Sequence, residues 1–276
     1  MLFDFTICES VHFSGIRLNK EGIPEIVGLK KLGYFSSPVT VSQYGIYQLQ
    51  LYKKTHDELH LNSALRCAKY LIASADIQGE KAIWWYNFKN DFLEIESPWL
   101  CGLAQALSSW LLFSLRDVNG GWEEIAYKAL KPLFSHVEKG GLSNQIDDYF
   151  FLEEYPSNPP SATLNGFIYI LLVLHAFSEV GYSKTERLFN SYVKSLAKNL
   201  YRYDVGYWSL YDLWTIKRLA SLEYHWLHLY QLELLHEITG IKEFSLYHNR
   251  WFSYYKSSNC RFFRFIHKIK EKIVIL

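Results

Sequence analysis

The chain has 276 residues, 49% of them hydrophobic and 21% charged, with a net charge of +1. That composition excludes a disordered chain and supplies enough apolar material for one large core or at most two small ones. The charge balance does not suggest non-specific nucleic-acid binding, and no nucleic-acid partner is expected.

In chain order, GIRLNKEGIPEI at 15–26 reads as a hairpin turning near Asn19–Gly22. Eight segments with helical periodicity follow. The first carries Val41, Tyr44, Tyr47 and Leu51. The second carries Leu61, Ala64, Leu65, Ala68, Leu71, Ile72 and Ala75, and the third Leu100, Leu103, Ala104, Leu107 and Leu111. The fourth has Trp122, Ile125, Ala126, Ala129 and Leu133, with Pro132 expected to kink or end it. The fifth, 162–177, is apolar nearly all round, as a helix covered on both sides would be. The sixth has Phe189, Tyr192, Leu196 and Leu200, the seventh Tyr224, Leu227, Leu234, Leu235 and Ile238, and the eighth Phe244, Tyr247, Trp251 and Tyr254.

The connections alternate. Short ones fall at 55–57, 117–121, 179–183 and 240–242, and suit antiparallel helix hairpins. Long ones cover 76–98, 138–160 and 201–218. Four hairpins in series with long loops on one rim predict an all-α fold, an α/α toroid; an irregular helical bundle is the alternative. Small β-hairpins are expected in the long loops, one around 150–155 and another within 201–213 turning at Asp204–Gly206. The expected organisation is a short β-like extension over 1–36, the toroid over 37–258 and a basic amphipathic tail over 259–276.

The long loops and the start of the seventh helix concentrate functional side chains. They hold Trp84, Trp85 and Tyr86; Asp147, Asp148, Glu153, Glu154 and Tyr155; Tyr203, Tyr207, Trp208, Tyr211 and Asp212; then Tyr224, His225 and His228. Aromatic residues make up 17% of the chain, and flat rings with polar tips suit an elongated sugar chain as well as they suit packing. Adjacent Glu153 and Glu154 would point to opposite faces of a strand, so they cannot act together as a hydrolase pair. His225 and His228 share a helical face without an obvious third ligand, so no metal site is expected. Cys8, Cys67, Cys101 and Cys260 are scattered and read as reduced. The start MLFDFTICESVHF lacks a basic region before an apolar run, and the apolar stretch at 167–177 is too short to span a bilayer, so a cytoplasmic location is expected.

FLEEYPSNPPSATLNGFIYILLVLHAF at 151–177 resembles the signature region of the D-glucuronyl 5-epimerases of heparan sulfate and heparosan. SLYDL at 209–213, EYHWLHLYQLELL at 223–235, SPVTVSQYGIYQLQLY at 37–52, WWYNF at 84–88 and SPWLCGLAQALS at 97–108 agree in the same order. The resemblance implies an α/α toroid catalytic domain acting on an acidic, heparosan-like polysaccharide. It implies Glu154, Tyr155, Tyr211 and Tyr224 as the acid/base set and Asn165 as a substrate contact. Gln43, Tyr44, Trp84, Trp85, Tyr86, His225 and His228 are further expected contacts. Where the animal enzymes carry arginines this chain has Trp214 and Ser221, so either Arg17, Lys217 or Arg218 compensates or the polymer is less charged than a sulfated one. The match does not reach the β-rich N-terminal region of the animal enzymes, and a homodimer stays open.

Epimerisation takes the proton from carbon 5 and returns one to the opposite face, which side chains can do without a cofactor. A tyrosine serves as the base only if its phenol is lowered from about 10. A lyase on the same fold and a non-catalytic polysaccharide-binding protein are the competing readings. The tail, with Arg261, Arg264, Lys268, Lys270 and Lys272 among Phe262, Phe263, Phe265, Ile266, Ile269, Ile273, Val274 and Ile275, fits either an ordinary charged packing helix, the plainer expectation, or weak association with a membrane surface.

Overall fold

A computed structural model of the protein describes residues 3–5, 7, 13, 15–27, 33–118 and 121–275, with residues 270 and 272–275 described by backbone alone. Cys8 and part of the 117–121 turn lie outside the described residues. The described cysteines, Cys67, Cys101 and Cys260, are free.

Four helix hairpins form an α/α toroid. They are α1 (Pro38–Thr55) with α2 (Glu58–Ser74), α3 (Gly102–Ser114) with α4 (Trp122–Leu130), α5 (Leu164–Ser178) with α6 (Ser183–Asn199), and α7 (Leu222–Thr239) with α8 (Lys242–Lys256). A further helix, α9 (Ser258–Ile275), follows. Contacts run from α1 to α3 to α5 to α7 around the inside. Burial separates the two rings. Outer helix α2 buries one stripe, Ala64, Cys67, Ala68 and Leu71, whereas inner helix α5 is buried at every position from Leu164 to Leu174. The apolar character of 162–177 is thus that of a helix enclosed by the ring.

Each long connection leads from the end of an outer helix to the start of the next inner one. The long loops and the N-termini of the inner helices therefore share a rim. Three two-stranded antiparallel pairs stiffen these loops: β4 (Asp76–Gln78) with β5 (Lys81–Ile83), β6 (Trp85–Tyr86) with β7 (Trp99–Leu100), and β8 (Ser143–Ile146) with β9 (Tyr149–Leu152). Near the N-terminus, β1 (Arg17–Leu18), β2 (Pro24–Val27) and β3 (Tyr34–Phe35) form an antiparallel sheet. Asn19 Oδ1 accepts from the amides of Glu21 and Ile23, at 2.9 and 3.0 Å, and Gly22 supplies a positive φ of 75° for the β1–β2 turn.

Two details differ from the expectations. The segment 201–213 is not a regular hairpin. It opens as a 3-10 turn at Leu200–Tyr203, bridges Asp204 to Ser209, and then pairs Leu210 with Leu219 further along. Helix α5 begins at Leu164 rather than at Ala162 because the Glu153 carboxylate takes the Ala162 amide at 3.0 Å and Ala162 adopts a φ of 44°. Pro132 does end α4, which passes into a 3-10 turn at Lys131–Phe134.

The first and last inner helices are bridged by the start of the chain. The Phe5 amide donates to Gln50 Oε1 on α1 at 3.1 Å, and the Asp4 amide donates to the Tyr230 hydroxyl on α7 at 3.3 Å. The Phe3 ring meets Tyr230 at 4.9 Å and Tyr169 of α5 at 4.7 Å. Phe5 is 1% exposed. Phe5→Ala is therefore expected to lower the stability by about 3–5 kcal/mol in urea unfolding. A loss below about 1 kcal/mol would mean that the segment does not close the ring.

Candidate active site

At the rim where the inner helices begin lies a pocket of about 280 Å³, near the small end of ordinary ligand sites. Every inner helix contributes from its first turns: Val39, Thr40 and Gln43 from α1, Leu103 from α3, Asn165 and Tyr169 from α5, and Tyr224 from α7. The loops add Tyr86, Phe88 and Trp99, then Glu154 and Tyr155 after β9, and Tyr211 before α7. Ile26 and Phe35 of the N-terminal sheet cover one side.

A helix N-terminus carries roughly half a positive charge and usually attracts an acid in its first turn. The outer helices obey that preference with Glu58, Glu123 and Glu124, Glu186, and Glu243. Inner helices α1, α3 and α5 have no acid there, and Glu223 of α7 is exposed. Around the pocket the positive ends are thus left unneutralised, an arrangement that favours an anion. Among the described residues, no Lys or Arg lines the pocket and Glu154 is its one acid.

Glu153 and Glu154 divide their labour. The Glu153 carboxylate accepts from Asn144 Nδ2 (3.2 Å), Ser161 Oγ (2.9 Å) and the amides of Ser161 (3.1 Å) and Ala162 (3.0 Å), and so ties down the loop to α5. Glu154 faces the pocket beside the Tyr155 hydroxyl, and its Oε2 is buried without a partner. Two glycines allow this. A Cβ on Gly102 would collide with the Glu153 carbonyl and one on Gly166 with Glu154 Oε2. The Gly102 amide donates to the Glu154 carbonyl at 3.0 Å. Burial pushes Glu154 up to about 7, opposed by Tyr155 and Arg218.

Tyr155, Tyr211 and Tyr224 complete the cluster, with the Tyr211 and Tyr224 rings edge to face at 5.0 Å. The lowering expected for a tyrosine base is not found. Burial and the nearby Glu154 carboxylate raise all three phenols, Tyr224 to about 12 and Tyr155 and Tyr211 well above the ordinary 10. Burial is the largest cause for each of them. The guanidinium of Arg218 stands one layer back, ion-paired to buried Asp212 and 5.0 Å from the Tyr211 ring.

The other expected contacts fall into two groups. Gln43, Tyr86 and Asn165 line the pocket; the Tyr86 ring stacks on Trp99 at 4.4 Å and its hydroxyl meets Ser37 Oγ at 2.9 Å. The rest are held elsewhere. Trp84 is core, its Nε1 donating to the Leu71 carbonyl at 2.8 Å. Trp85 borders a neighbouring cleft and donates to Asp76 at 2.8 Å. Tyr44 is turned to α2, beside Arg66 and Cys67. His225 and His228 are fully buried and share the Ser209 hydroxyl at 2.7 and 3.0 Å, with the His225 ring stacked on Trp208. Arg17 pairs with Glu25 at 3.0 Å and lies over the Tyr34 ring. Of the cations weighed against the missing arginines, neither Arg17, Lys217 nor Arg218 lines the pocket, and Trp214 packs on Phe92. Trp99, Tyr169 and Cys101 are pocket residues that the sequence reading did not single out. Tyr169 stands four residues after Asn165 on one helix face, a spacing that could have revealed it.

The family model for the D-glucuronyl C5-epimerase C-terminus matches residues 78–253. The chain belongs to this family. It is 27% identical over 243 residues to an uncharacterized protein of Methanocaldococcus jannaschii, covering 80% of this chain and 78% of that one. It is 31% identical over 147 residues to the D-glucuronyl C5-epimerase of Caenorhabditis elegans, covering 47% of this chain and 24% of the worm protein. Among solved structures, a family 76 glycoside hydrolase from a bovine Bacteroides thetaiotaomicron strain superposes with a TM-score of 0.46 at 12% identity, over 88% of this chain and 49% of that one. In this member of the C5-epimerase family, Glu154, Tyr155, Tyr211 and Tyr224 meet in one pocket.

The raised carboxyls make stability depend on pH. Glu153 and Glu154 both stand at about 7 against an ordinary 4.5. Between those values the folded chain holds protons that the unfolded chain has lost, so stability falls as pH rises through the window. Glu154→Gln removes one of the two groups. Its Tm is expected to fall less steeply from pH 4.5 to 7 than that of the native chain, as read by thermal unfolding; equal slopes would refute the raised carboxyl.

Proposed function

We propose that the protein inverts carbon 5 of D-glucuronate residues in a heparosan-like polysaccharide, giving L-iduronate. The observation that supports this best is the juxtaposition of Glu154 and three protonated phenols with the N-termini of α1, α3 and α5, whose first turns carry no acid. Family membership points the same way.

In this reading the helix ends receive the uronate carboxylate, which makes the adjacent C5–H acidic enough to remove. Glu154, at about 7, is matched to act as base near neutral pH, where a catalytic group works best. The phenols, raised rather than lowered, are poor bases and good hydrogen-bond donors, suited to the charge that builds on the enediolate. One of Tyr211 and Tyr224 then gives a proton to the opposite face of C5, and the phenolate recovers one from Glu154 through Tyr155 or from solvent. The net change is inversion, with no proton gained or lost. Trp99 and Tyr86 offer a stacked aromatic wall to the sugar. A lyase would begin with the same abstraction, and a protonated phenol could then release the 4-linked sugar.

Incubation with heparosan and with its N-sulfated form in deuterium oxide tests this. Deuterium at C5 together with iduronate is expected, with losses of roughly 100-fold or more in Glu154→Gln and Tyr211→Phe. An ultraviolet-absorbing unsaturated uronate would identify a lyase instead. No exchange on either polymer would contradict the proposal and favour a binding protein.

A further inference from the structure

Helix α9 sits on the loop that carries Tyr211, by one face. The Tyr207 hydroxyl and His267 Nδ1 are 2.7 Å apart, Glu271 Oε2 accepts from the Leu219 amide at 3.3 Å, and the Arg264 guanidinium lies over the Trp208 ring at 5.5 Å. The face turned away from these contacts is apolar. Phe262, Phe265, Ile266 and Ile269, spaced as one helical stripe, are 60%, 56%, 37% and 44% exposed. Beyond Arg264, held over Trp208, and Lys268, paired with the helix's single acid Glu271 at 2.9 Å, the helix carries Arg261, Lys270 and Lys272. The whole chain nets only +1, so the rest of it is net acidic and the positive charge is gathered on this helix.

An apolar stripe of this kind, left in water, marks a contact surface. The charge decides between occupants. A second copy would bring two cationic helices together across a symmetric interface. An acidic polymer would answer the cations and could stack on the phenylalanines, but it would leave Ile266 and Ile269 in water. An anionic bilayer surface answers both, taking the apolar face below the headgroups and the cations among them. No helix among the described residues is long and apolar enough to cross a membrane, so the fitting mode is a helix lying in the interface.

We propose that α9 docks the protein on anionic lipid surfaces, holding the Tyr211 loop and its pocket close to the bilayer. This does not rest on the reaction assigned to the pocket. The full chain would be sedimented with vesicles of phosphatidylcholine alone and of phosphatidylcholine mixed with phosphatidylglycerol, at low and high salt. The expected result is binding to the anionic vesicles that weakens with salt. Binding should fall roughly tenfold or more for each of Phe262→Asp and Phe265→Asp, which remove exposed rings and should keep the native Tm. Arg261→Glu, at another exposed position, should weaken it as well. Absence of binding by the native chain, or native binding by the double Phe262→Asp, Phe265→Asp variant, would overturn the proposal. So would a dimer that the double variant dissolves in sedimentation equilibrium while vesicles are ignored, which would make the stripe a self-association surface.

Discussion

The pocket depends on the convergence of inner-helix N-termini on one rim. An α/α toroid makes this unavoidable, because every inner helix starts after a long loop on the same side. The acids of this chain are placed to match. The outer helices place theirs at the opposite rim, in Glu58, Glu123, Glu186 and Glu243, while α1, α3 and α5 place none at the pocket. The fold thus supplies a site for an anion without a lining arginine.

Burying Glu154 in such a site has a cost that neighbouring residues make bearable. Glu153, one position earlier, spends its carboxylate entirely on Asn144, Ser161 and Ala162, so the backbone that presents Glu154 is fixed from behind. Gly102 and Gly166 leave room where any side chain would collide with that backbone or with the carboxyl itself. The result is a carboxyl brought near neutrality among phenols that remain protonated, burial raising both while the difference between the residue types persists. Arg218 and Asp212 add a compensated pair behind Tyr211, close enough to moderate Glu154.

Much of this was legible in the sequence. Periodicity located all eight toroid helices, because outer helices bury one stripe and inner ones bury nearly everything. Alternating loop lengths indicated the hairpins and the common rim. Glu154, Tyr155, Tyr211 and Tyr224 meet in one pocket because each lies on that rim. Rim position alone was a poorer guide to the rest. His225 and His228 sit within two turns of Tyr224 yet turn inward to Ser209, and Trp84 turns into the core beside Trp85, since helical and strand neighbours face different ways. The raised phenols were not legible at all. They follow from burial and from the charges around them, which spacing does not encode.

The most direct test of the central claim is calorimetric binding to the Glu154→Gln variant, comparing a glucuronate-containing heparosan oligosaccharide with the same oligosaccharide after its carboxyl groups are reduced to alcohols. An anion site made by helix ends predicts binding of the carboxylate form that is lost or weakened roughly tenfold in the reduced form. Equal affinity for the two would contradict it, because the pocket would then recognise the sugar through its aromatic wall alone.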